Sequence, residues 1–418
     1  MTNEGRMIRA WRVLAVWVPA LAACLRGAPD RGARVREACL ALGGLWPKVG
    51  QTCSFRYDLF PVDICDALSA LQGTDGQASV GVVRRVGDRA VKTVLPGMAA
   101  QAAADFAVLR LIARVVGWWP VVRRARLREM VAQLDTTFTR ELDLRYEGAL
   151  QAAMRTQLHG RHGLYVPKVY AVTADRLEME YIEGRDLSEV LRRPVGRRAR
   201  RHARRLLFAL LRMIWEDNRF HGDLHPGNVR VMPDGRLALL DFGVVGITEG
   251  DFLRHFRRFL QALDTQDWRW AAKQFLYLQR DFVPRTTVGR VLKARTLARV
   301  EDQLTQVIAQ WAFATSVPQL PFHVRSLNAL TQRMVAVTAR AGAHLNAAWL
   351  AIQRALQALE RILAVCWPDV DYLRVARQYL REAQCRQPSA WMTQLQDVLE
   401  MASDYLDTLT NQGVQIAV

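Results

Sequence analysis

The chain has 418 residues, 50% of them hydrophobic, with a formal net charge of +18 and an isoelectric point near 10.4. The hydrophobic content excludes an intrinsically disordered chain, and the length allows two or three packed units. Because the sequence has no zinc finger, RNA-binding signature or basic stripe with interleaved aromatics, the positive charge predicts contact with acidic lipid and no nucleic acid.

Residues 1–72 have a helical pattern. The apolar stretch 13–25 is flanked by arginines and, with 13 residues, is too short to span a bilayer. Trp11 and Trp17 suit an interfacial helix, while a helix docked in a protein core fits the same pattern. The six cysteines have no metal-binding spacing and are typical of reduced thiols in a cytosolic protein.

Strand signals begin after residue 72. Residues 73–97 predict a β-hairpin with a turn at Gly87-Asp88, and 165–184 predicts two short strands around Ala174-Asp175. Two more strands flank the turn at 233–235, and helices fill most of the remaining chain. This order predicts an α+β fold with a helical N-terminal extension at 1–72, a small β-containing lobe at 73–182 and a mostly helical lobe at 183–418.

The segment "FHGDLHPGNVRVMPDGRLALLDFG" (220–243) carries the main chemical signal. Asp223 and Asn228 fall in a loop, whereas Asp241 ends a strand. A loop asparagine and a strand-end aspartate can hold Mg²⁺ through oxygen ligands, which leaves Asp223 free to orient or deprotonate an attacking hydroxyl. The spacing matches a protein-kinase catalytic loop followed by Asp-Phe-Gly, and it predicts phosphoryl transfer.

A phosphate-binding cation is also expected. Lys92 lies on the second hairpin strand, in a chain where only five of the 58 basic residues are lysines. Its acidic partner should come from "TRELDLRYEGAL", which contains Glu141, Asp143 and Glu147. In one continuous helix Asp143 and Glu147 would share a face, while Glu141 would point elsewhere.

Together these motifs resemble the UbiB-like (AarF-type) atypical kinase family of the protein-kinase-like superfamily. The resemblance rests on "KVGQTCSFRYDLFP" (48–61), which is similar to the family's Lys-x-Gly-Gln motif and its continuation. It recurs at "AVK" (90–92), "ELD" (141–143), "HGDLHPGN" (221–228) and "DFG" (241–243). The resemblance implies a two-lobed protein-kinase-like fold.

The resemblance also implies roles for the motif residues. Lys92 would contact the α- and β-phosphates of ATP with Glu147 as its partner, and Asp223 would be the catalytic acid. Asn228 and Asp241 would bind Mg²⁺. The N-terminal extension would fold over the cleft as a lid and bring Lys48 and Gln51 into the site. Glu141 and Asp143 would hold Lys48.

The nucleotide would lie between a glycine-containing loop and the interlobe hinge. The family's Ala-rich loop corresponds here to the shortened "QASVG" (77–81), in which Ala78, Ser79 and Gly81 are the candidate contacts. In the hinge segment "EMEYIEG" (178–184), the backbone around Glu180 and Ile182 would pair with adenine.

We therefore expect a Mg²⁺- and ATP-dependent atypical kinase or ATPase that supports biosynthesis or handling of ubiquinone or another isoprenoid lipid. It would act in the bacterial cytoplasm, peripheral to the inner membrane, as a homodimer or within a biosynthetic complex. A small-molecule phosphotransferase of the aminoglycoside or choline kinase type is an alternative, because it uses a similar "HGDLHPGN" loop. A non-catalytic nucleotide-sensing scaffold is a second alternative, because the nucleotide loop is short.

Overall fold

The computed structural model describes residues 3–56, 60–73, 81–116, 127–158, 161, 163–192, 196–248, 250–279, 287–341, 343 and 347–386. Two candidate nucleotide contacts, Ala78 and Ser79, lie outside these ranges.

A bundle of helices forms the N-terminal part of the chain. Its helices are α1 (Asn3–Leu25), α2 (Arg31–Leu42), α3 (Trp46–Cys53) and α4 (Val62–Ser69), followed by a 3₁₀ turn at Ala70–Gly73. Two helices of the predicted small lobe, α5 (Met98–Val116) and α6 (Leu127–Leu142), share the bundle's core. In that core Phe106 and Phe138 pack edge to face, and Trp46 belongs to the same cluster of buried residues. The hydrophobic core therefore crosses the boundary that we predicted at residue 72.

Helix α1 has two different faces. Its docked face buries Val13 and Ala20 and carries Arg9, which forms an ion pair with the fully buried Asp105 of α5. The opposite face leaves large apolar side chains exposed: Met7, Ile8, Trp11, Leu14, Val18, Leu21 and Leu25. These positions recur at helical spacing, so they form one continuous stripe.

Helix α1 is also longer than the apolar run at 13–25, because it begins at Asn3. Pro19 lies inside it and does not end it. Among the described residues, Met7–Leu25 is long and apolar enough to cross a membrane, and 17% of this stretch is buried. A docked core helix or an N-terminal signal sequence meets the same length and hydropathy test. The 13 residues of the apolar stretch were too few to span a bilayer, but the helix that contains them is long enough, so that argument does not hold.

The small lobe is built on an antiparallel sheet. Strands β1 (Gly81–Val86) and β2 (Arg89–Val94) form the predicted hairpin, with Val86 opposite Arg89 across the turn at Gly87-Asp88. Gly87 adopts a φ of +63°, which glycine tolerates without strain. The sheet continues through the second predicted pair of strands in the order β1-β2-β5-β4, with β4 at Val169–Val172 and β5 at Arg176–Glu180. Helix α7 (Leu144–Leu158) packs against β4 and β5.

A second sheet lies at the junction with the helical lobe. It has the order β3-β9-β8-β6, and a two-stranded ladder pairs β7 with β10. The bounds of these strands are β3 (Leu164–Tyr165), β6 (Arg185–Asp186), β7 (Arg219–His221), β8 (Val229–Val231), β9 (Leu237–Leu239) and β10 (Val245–Ile247). Strands β8 and β9 lie within the stretches predicted around the turn at 233–235. The loops between β7 and β10 carry the candidate site.

Helices surround this sheet and form the larger lobe. They are α8 (Leu187–Leu191), α9 (Arg197–Trp215), α10 (Gly250–Asp264), α11 (Trp268–Tyr277), α12 (Thr287–Thr315), α13 (Phe322–Arg325), α14 (Leu327–Arg340), α15 (Ala347–Cys366) and α16 (Tyr372–Arg386). Their largest core includes Trp349 of α15, whose ring contacts Phe256, Phe259 and Phe275. The predicted two-lobed α+β fold is confirmed.

Candidate active site

Lys92 lies at the centre of the site. Its Nζ donates to both carboxylate oxygens of Glu147, at 2.7 and 2.8 Å, and lies 3.4 Å from Oδ2 of Asp241. Burial alone would lower the pKa of Lys92, but the carboxylates of Asp241 and Glu147 outweigh it and raise the pKa above its usual value. Lys92 of β2 is therefore held as a fixed cation between α7, which carries Glu147, and the loop after β9, which carries Asp241.

Asp241 is held in an unusual backbone conformation. Its φ is +58°, in the left-handed region that few non-glycine residues adopt, and its Oδ1 accepts the Gly243 N–H at 3.0 Å. Burial would raise the pKa of Asp241, yet Lys92 and Lys48 hold it below its usual range. Half of the side chain remains exposed to the cleft, so an ionised oxygen is available to a ligand.

The Lys-x-Gly-Gln motif lies on α3, and its three residues do different things. Lys48 Nζ lies 2.9 Å from Oε2 of Glu141 on α6, and its charge acts on the nearby Asp241. A Cβ on Gly50 would come within 2.5 Å of Leu71, so glycine allows α3 to approach the 3₁₀ turn. Gln51 is buried and donates to the Leu71 carbonyl at 2.9 Å. This hydrogen bond anchors the turn, and the expected entry of Gln51 into the active site stays a prediction.

Asp143 also differs from its expected place. Helix α6 ends at Leu142 and α7 begins at Leu144, so Asp143 lies at a break and the continuous-helix argument fails. Its carboxylate accepts the Arg145 backbone N–H at 3.1 Å and also binds the Arg145 guanidinium, which lowers the pKa of Asp143. The residue caps the helix that carries Glu147, and Glu141 contacts Lys48.

His221 connects the catalytic loop to the Asp-Phe-Gly segment. Its Nδ1 accepts the Asp223 backbone N–H at 3.1 Å, and its Nε2 donates to the Leu240 carbonyl at 3.0 Å. These partners fix the neutral Nε2–H tautomer, because the N–H can only donate and the carbonyl can only accept. Burial lowers the pKa of His221, which favours the same neutral form. The imidazole therefore sets the position of Asp223 relative to Asp241.

Asp223 has a partner that the sequence did not reveal. Its Oδ2 accepts from Nη2 of Arg354 on α15 at 3.2 Å, and both side chains are largely buried. Arg354 lies 131 positions further along the chain, in a helix without a recognisable motif. Arg361 of the same helix donates to the Ser69 carbonyl at 2.9 Å. Helix α15 thus connects the catalytic loop to the N-terminal bundle.

Asn228 and Asp241 carry the side-chain oxygens proposed to bind Mg²⁺. The Nδ2 of Asn228 donates to the Asp223 carbonyl at 3.1 Å, which leaves its amide oxygen for other contacts. With the Asp241 carboxylate this provides two hard oxygen ligands, and water and phosphate oxygens complete such a site in nucleotide enzymes. Within the described ranges no group of three or more His, Cys, Asp or Glu side chains could hold a metal by itself. The donor set fits Mg²⁺ brought in with a nucleotide.

Comparisons with known proteins agree with this geometry. Residues 76–275 match the ABC1 atypical kinase-like domain. The chain carries an atypical kinase-like domain. Proteins named "Probable protein kinase UbiB" from Xanthomonas campestris pv. campestris (strain B100) and Xylella fastidiosa (strain M23) are each 27% identical to it, over 90% of this chain and 74% of their own length. The resemblance to the UbiB-like atypical kinase family is confirmed.

A solved structure is also similar. It is the complex of Rv3197 with erythromycin from Mycobacterium tuberculosis, which is 21% identical, covers 86% of this chain and 90% of its own, and has a TM-score of 0.48.

In this UbiB-like chain the expected hinge is partly engaged by internal contacts. The Glu180 N–H donates to the Lys168 carbonyl at 2.8 Å, and the Ile182 carbonyl accepts from Arg230 at 3.0 Å. The Glu180 carboxylate accepts from the Tyr165 hydroxyl at 2.8 Å. These contacts brace the lobe junction, and the expected pairing of adenine with the backbone around Glu180 and Ile182 stays a prediction.

Gly81 is the one candidate nucleotide contact of the loop that the structure describes, and the packing of the hairpin requires glycine at this position. It begins β1 opposite Val94, and a Cβ there would lie 2.6 Å from the Thr93 carbonyl oxygen. No L side chain fits such a contact without moving the strand. The glycine is thus explained by hairpin packing, independently of any role in approaching phosphate.

Proposed function

We propose that this protein is a Mg²⁺-dependent UbiB-type ATPase or atypical kinase that supports biosynthesis or handling of ubiquinone or another isoprenoid lipid at the inner membrane surface of a bacterium. Lys92 and Lys48 would receive the nucleotide phosphates, and Asp241 with Asn228 would hold Mg²⁺, which neutralises charge on the transferred phosphoryl group. Asp223 would orient the attacking water or hydroxyl.

The observation that carries this proposal is the contact of Lys92 with Glu147 and Asp241. One ammonium lies 2.7 Å from a carboxylate on α7 and 3.4 Å from a carboxylate after β9, so three separate elements converge on one point. Only 6% of the Glu147 side chain is exposed. A buried carboxylate destabilises the folded state unless it is paired with a cation. The arrangement suits a phosphate-binding lysine better than a stabilising surface ion pair.

The contact between Lys48 and Glu141 favours the UbiB-type function over a small-molecule phosphotransferase. An aminoglycoside or choline kinase has no use for a lysine from an N-terminal extension beside the metal-binding aspartate. Here that lysine reaches Glu141 at 2.9 Å and helps to lower the pKa of Asp241. We infer that the extension restricts access to the cleft and contributes to the site.

MgATP is expected to raise the melting temperature of the purified protein, because a ligand that binds the native state at 100 times its Kd adds about 2.7 kcal/mol to the free energy of unfolding. Lys92→Arg should retain the ion pair with Glu147 but weaken MgATP binding at least about tenfold, since the wide guanidinium cannot replace a compact ammonium. Differential scanning fluorimetry across an ATP titration measures both effects.

The matched control is Lys168→Arg, which changes an exposed lysine near the Tyr170 ring and should leave the ATP response intact. Phosphate release, measured on the same samples, separates an enzyme from a scaffold. If MgATP stabilises the protein without turnover, the nucleotide-sensing scaffold is the correct function. If neither MgATP nor MgADP shifts the melting temperature, the protein does not use ATP.

The apolar stripe on α1 supports the membrane part of the proposal. Trp11 and Val18 are 75% and 59% exposed, although the opposite face of the helix is docked. Exposed arginines at positions 12 and 26 lie close to the stripe. An amphipathic helix with aromatic and basic residues is suited to insertion at the headgroup level of acidic membranes.

Vesicle flotation tests this surface directly. We expect the protein to float with phosphatidylglycerol vesicles, and the double change Trp11→Glu and Val18→Glu should abolish flotation by removing apolar area and adding repulsion. Phe313→Glu is the control, because Phe313 is 70% exposed but lies on α12. Equal loss of flotation in the control, or no loss in the α1 variant, would contradict a specific role for α1.

A further inference from the structure

Asp223 has one ion-pair partner within the described residues, and that partner comes from outside the catalytic loop. The loop from 221 to 228 contains no lysine or arginine. The charges of Lys92 and Lys48 act on the aspartate of the Asp-Phe-Gly segment. Arg354 of α15 is the cation that meets Asp223, with its Nη2 3.2 Å from Oδ2 of the carboxylate. Arg354 therefore lies beside the residue proposed to orient the attacking water or hydroxyl.

The guanidinium of Arg354 has further hydrogen-bond donors. A guanidinium carries five N–H groups, and the contact with Asp223 is the one hydrogen bond that Arg354 makes within the described part of the chain. Its Nε is buried without a partner, and 14% of the side chain is exposed. Unsatisfied buried donors cost free energy, so the oxygens of a bound anion would stabilise this arrangement. A planar guanidinium suits phosphate, which it can bind through two parallel hydrogen bonds.

Helix α15 fixes the position of Arg354. The ring of Trp349 packs among three aromatic rings of the large core. Glu360 accepts a hydrogen bond of 2.7 Å from the Tyr372 hydroxyl, and Arg361 donates to the carbonyl at the end of α4 at 2.9 Å. The helix is thus anchored on both sides of Arg354. A cation that is in place before the reaction stabilises developing charge without reorganisation of the site.

We propose that Arg354 is a catalytic residue that binds the transferred phosphoryl group of ATP, an inference that rests on the proposed function. In the transfer step the bond from the γ-phosphorus to the oxygen that bridges to the β-phosphate breaks, and its electron pair stays on ADP. The attacking oxygen of water or of a hydroxyl forms the new bond to phosphorus, and its proton passes to Asp223. Arg354 stays beside Asp223 and donates its other N–H groups to the phosphoryl oxygens, over which the negative charge is spread in the transition state.

Arg354→Gln is expected to lower kcat for ATP about 1,000-fold or more, because an arginine that contacts the transferred phosphoryl group contributes about 10³ to 10⁵ to kcat. Its affinity for MgADP should equal that of the wild type, since ADP lacks this phosphoryl group. Arg354→Lys keeps the charge beside Asp223 but not the planar fork, and it should retain part of the rate. Phosphate release and calorimetry with MgADP measure these effects.

A mimic of the transferred phosphoryl group tests the contact without turnover. Aluminium fluoride, added with MgADP, takes the place of that group. We expect it to raise the affinity of the wild type for MgADP about 100-fold, as transition-state analogues do, and Arg354→Gln should lose this gain. The control Arg374→Gln, at a side chain that is 85% exposed, should keep the full gain and the wild-type kcat.

A residue that acts only by positioning Asp223 would give a different result. Asp223→Asn removes the charge that Arg354 would position, but it leaves the guanidinium available to the fluoride complex. Arg354→Gln should therefore still abolish the gain from aluminium fluoride in the Asp223→Asn background. If Arg354→Gln has no further effect in that background, Arg354 is a positioning residue and the proposal is overturned.

The remaining outcomes separate this inference from the proposed function. An unchanged fluoride gain or an unchanged kcat in Arg354→Gln overturns the role of Arg354 and leaves ATP use intact. A wild type that binds MgADP but shows no fluoride gain does the same. A wild type that binds neither MgATP nor MgADP contradicts the proposed function and this inference with it. If Arg354→Gln does not fold, Arg354→Lys replaces it, and an unchanged fluoride gain and kcat in that variant overturn the two-bond contact.

Discussion

Asp241→Asn is expected to lower Mg²⁺-dependent ATP turnover about 100-fold or more, since metal ions supply several kcal/mol of transition-state stabilisation and the change removes the charge of the proposed protein ligand. The variant should fold normally. Asparagine is among the few residues that adopt the left-handed conformation at φ +58°, and its Oδ1 can still accept the Gly243 N–H. Steady-state phosphate release at several Mg²⁺ concentrations measures the loss.

Asp234→Asn is the matched control for this change. Asp234 lies on the neighbouring turn, where its carboxylate binds Arg236 at 2.6 Å, and about half of its side chain is exposed. The control should retain wild-type turnover and the wild-type response to MgATP. If Asp241→Asn retains full turnover with Mg²⁺, Asp241 is not a metal ligand and the proposed site is wrong.

Asp105→Ala is expected to reduce the stability of the N-terminal bundle by about 3 to 5 kcal/mol, because it leaves the Arg9 guanidinium buried without its partner. Asp105 is fully buried and accepts two hydrogen bonds from Arg9, both of 2.8 Å. Urea unfolding followed by tryptophan fluorescence measures the loss, and two of the twelve tryptophans, Trp17 and Trp46, lie 5.3 Å apart in this bundle.

The control is Asp30→Ala, which breaks an ion pair with Arg34 whose two side chains are each about half exposed. Such pairs contribute about 0 to 1 kcal/mol, so the control should be nearly as stable as the wild type. Replacing both partners of the buried pair, with Arg9→Met and Asp105→Leu, should recover most of the stability. Similar losses for Asp105→Ala and Asp30→Ala would contradict the importance of the buried pair.

Local sequence patterns predicted the parts of the fold that depend on local interactions. The turn at Gly87-Asp88, the strands on either side of residues 233–235, and the loop that carries Asp223 all lie where turn chemistry and alternation placed them. Glu147 was chosen as a partner of Lys92, and the structure brings the two together. That choice came from the family resemblance. The helical-face argument left both Asp143 and Glu147 open, and it assumed that no break occurs at Asp143.

Contacts between distant parts of the chain could not be predicted. Periodicity shows that a helix has an apolar face but not which neighbour will cover it, so the packing of α5 and α6 on the N-terminal bundle was not foreseen. The side-chain amide of Gln51 turned to the Leu71 carbonyl because a buried polar group must find a partner. Arg354 resembled any other arginine in an amphipathic helix until the fold brought it to Asp223.

Helix α15 has a practical consequence for the production of truncated forms. The matched kinase-like domain spans 76–275, yet Arg354, which contacts the catalytic-loop aspartate, lies beyond its end, and Lys48 lies before its start. A recombinant fragment trimmed to the domain limits would lose both residues, together with their contacts to Asp223 and Glu141. Measurements on such a fragment would describe an incomplete site.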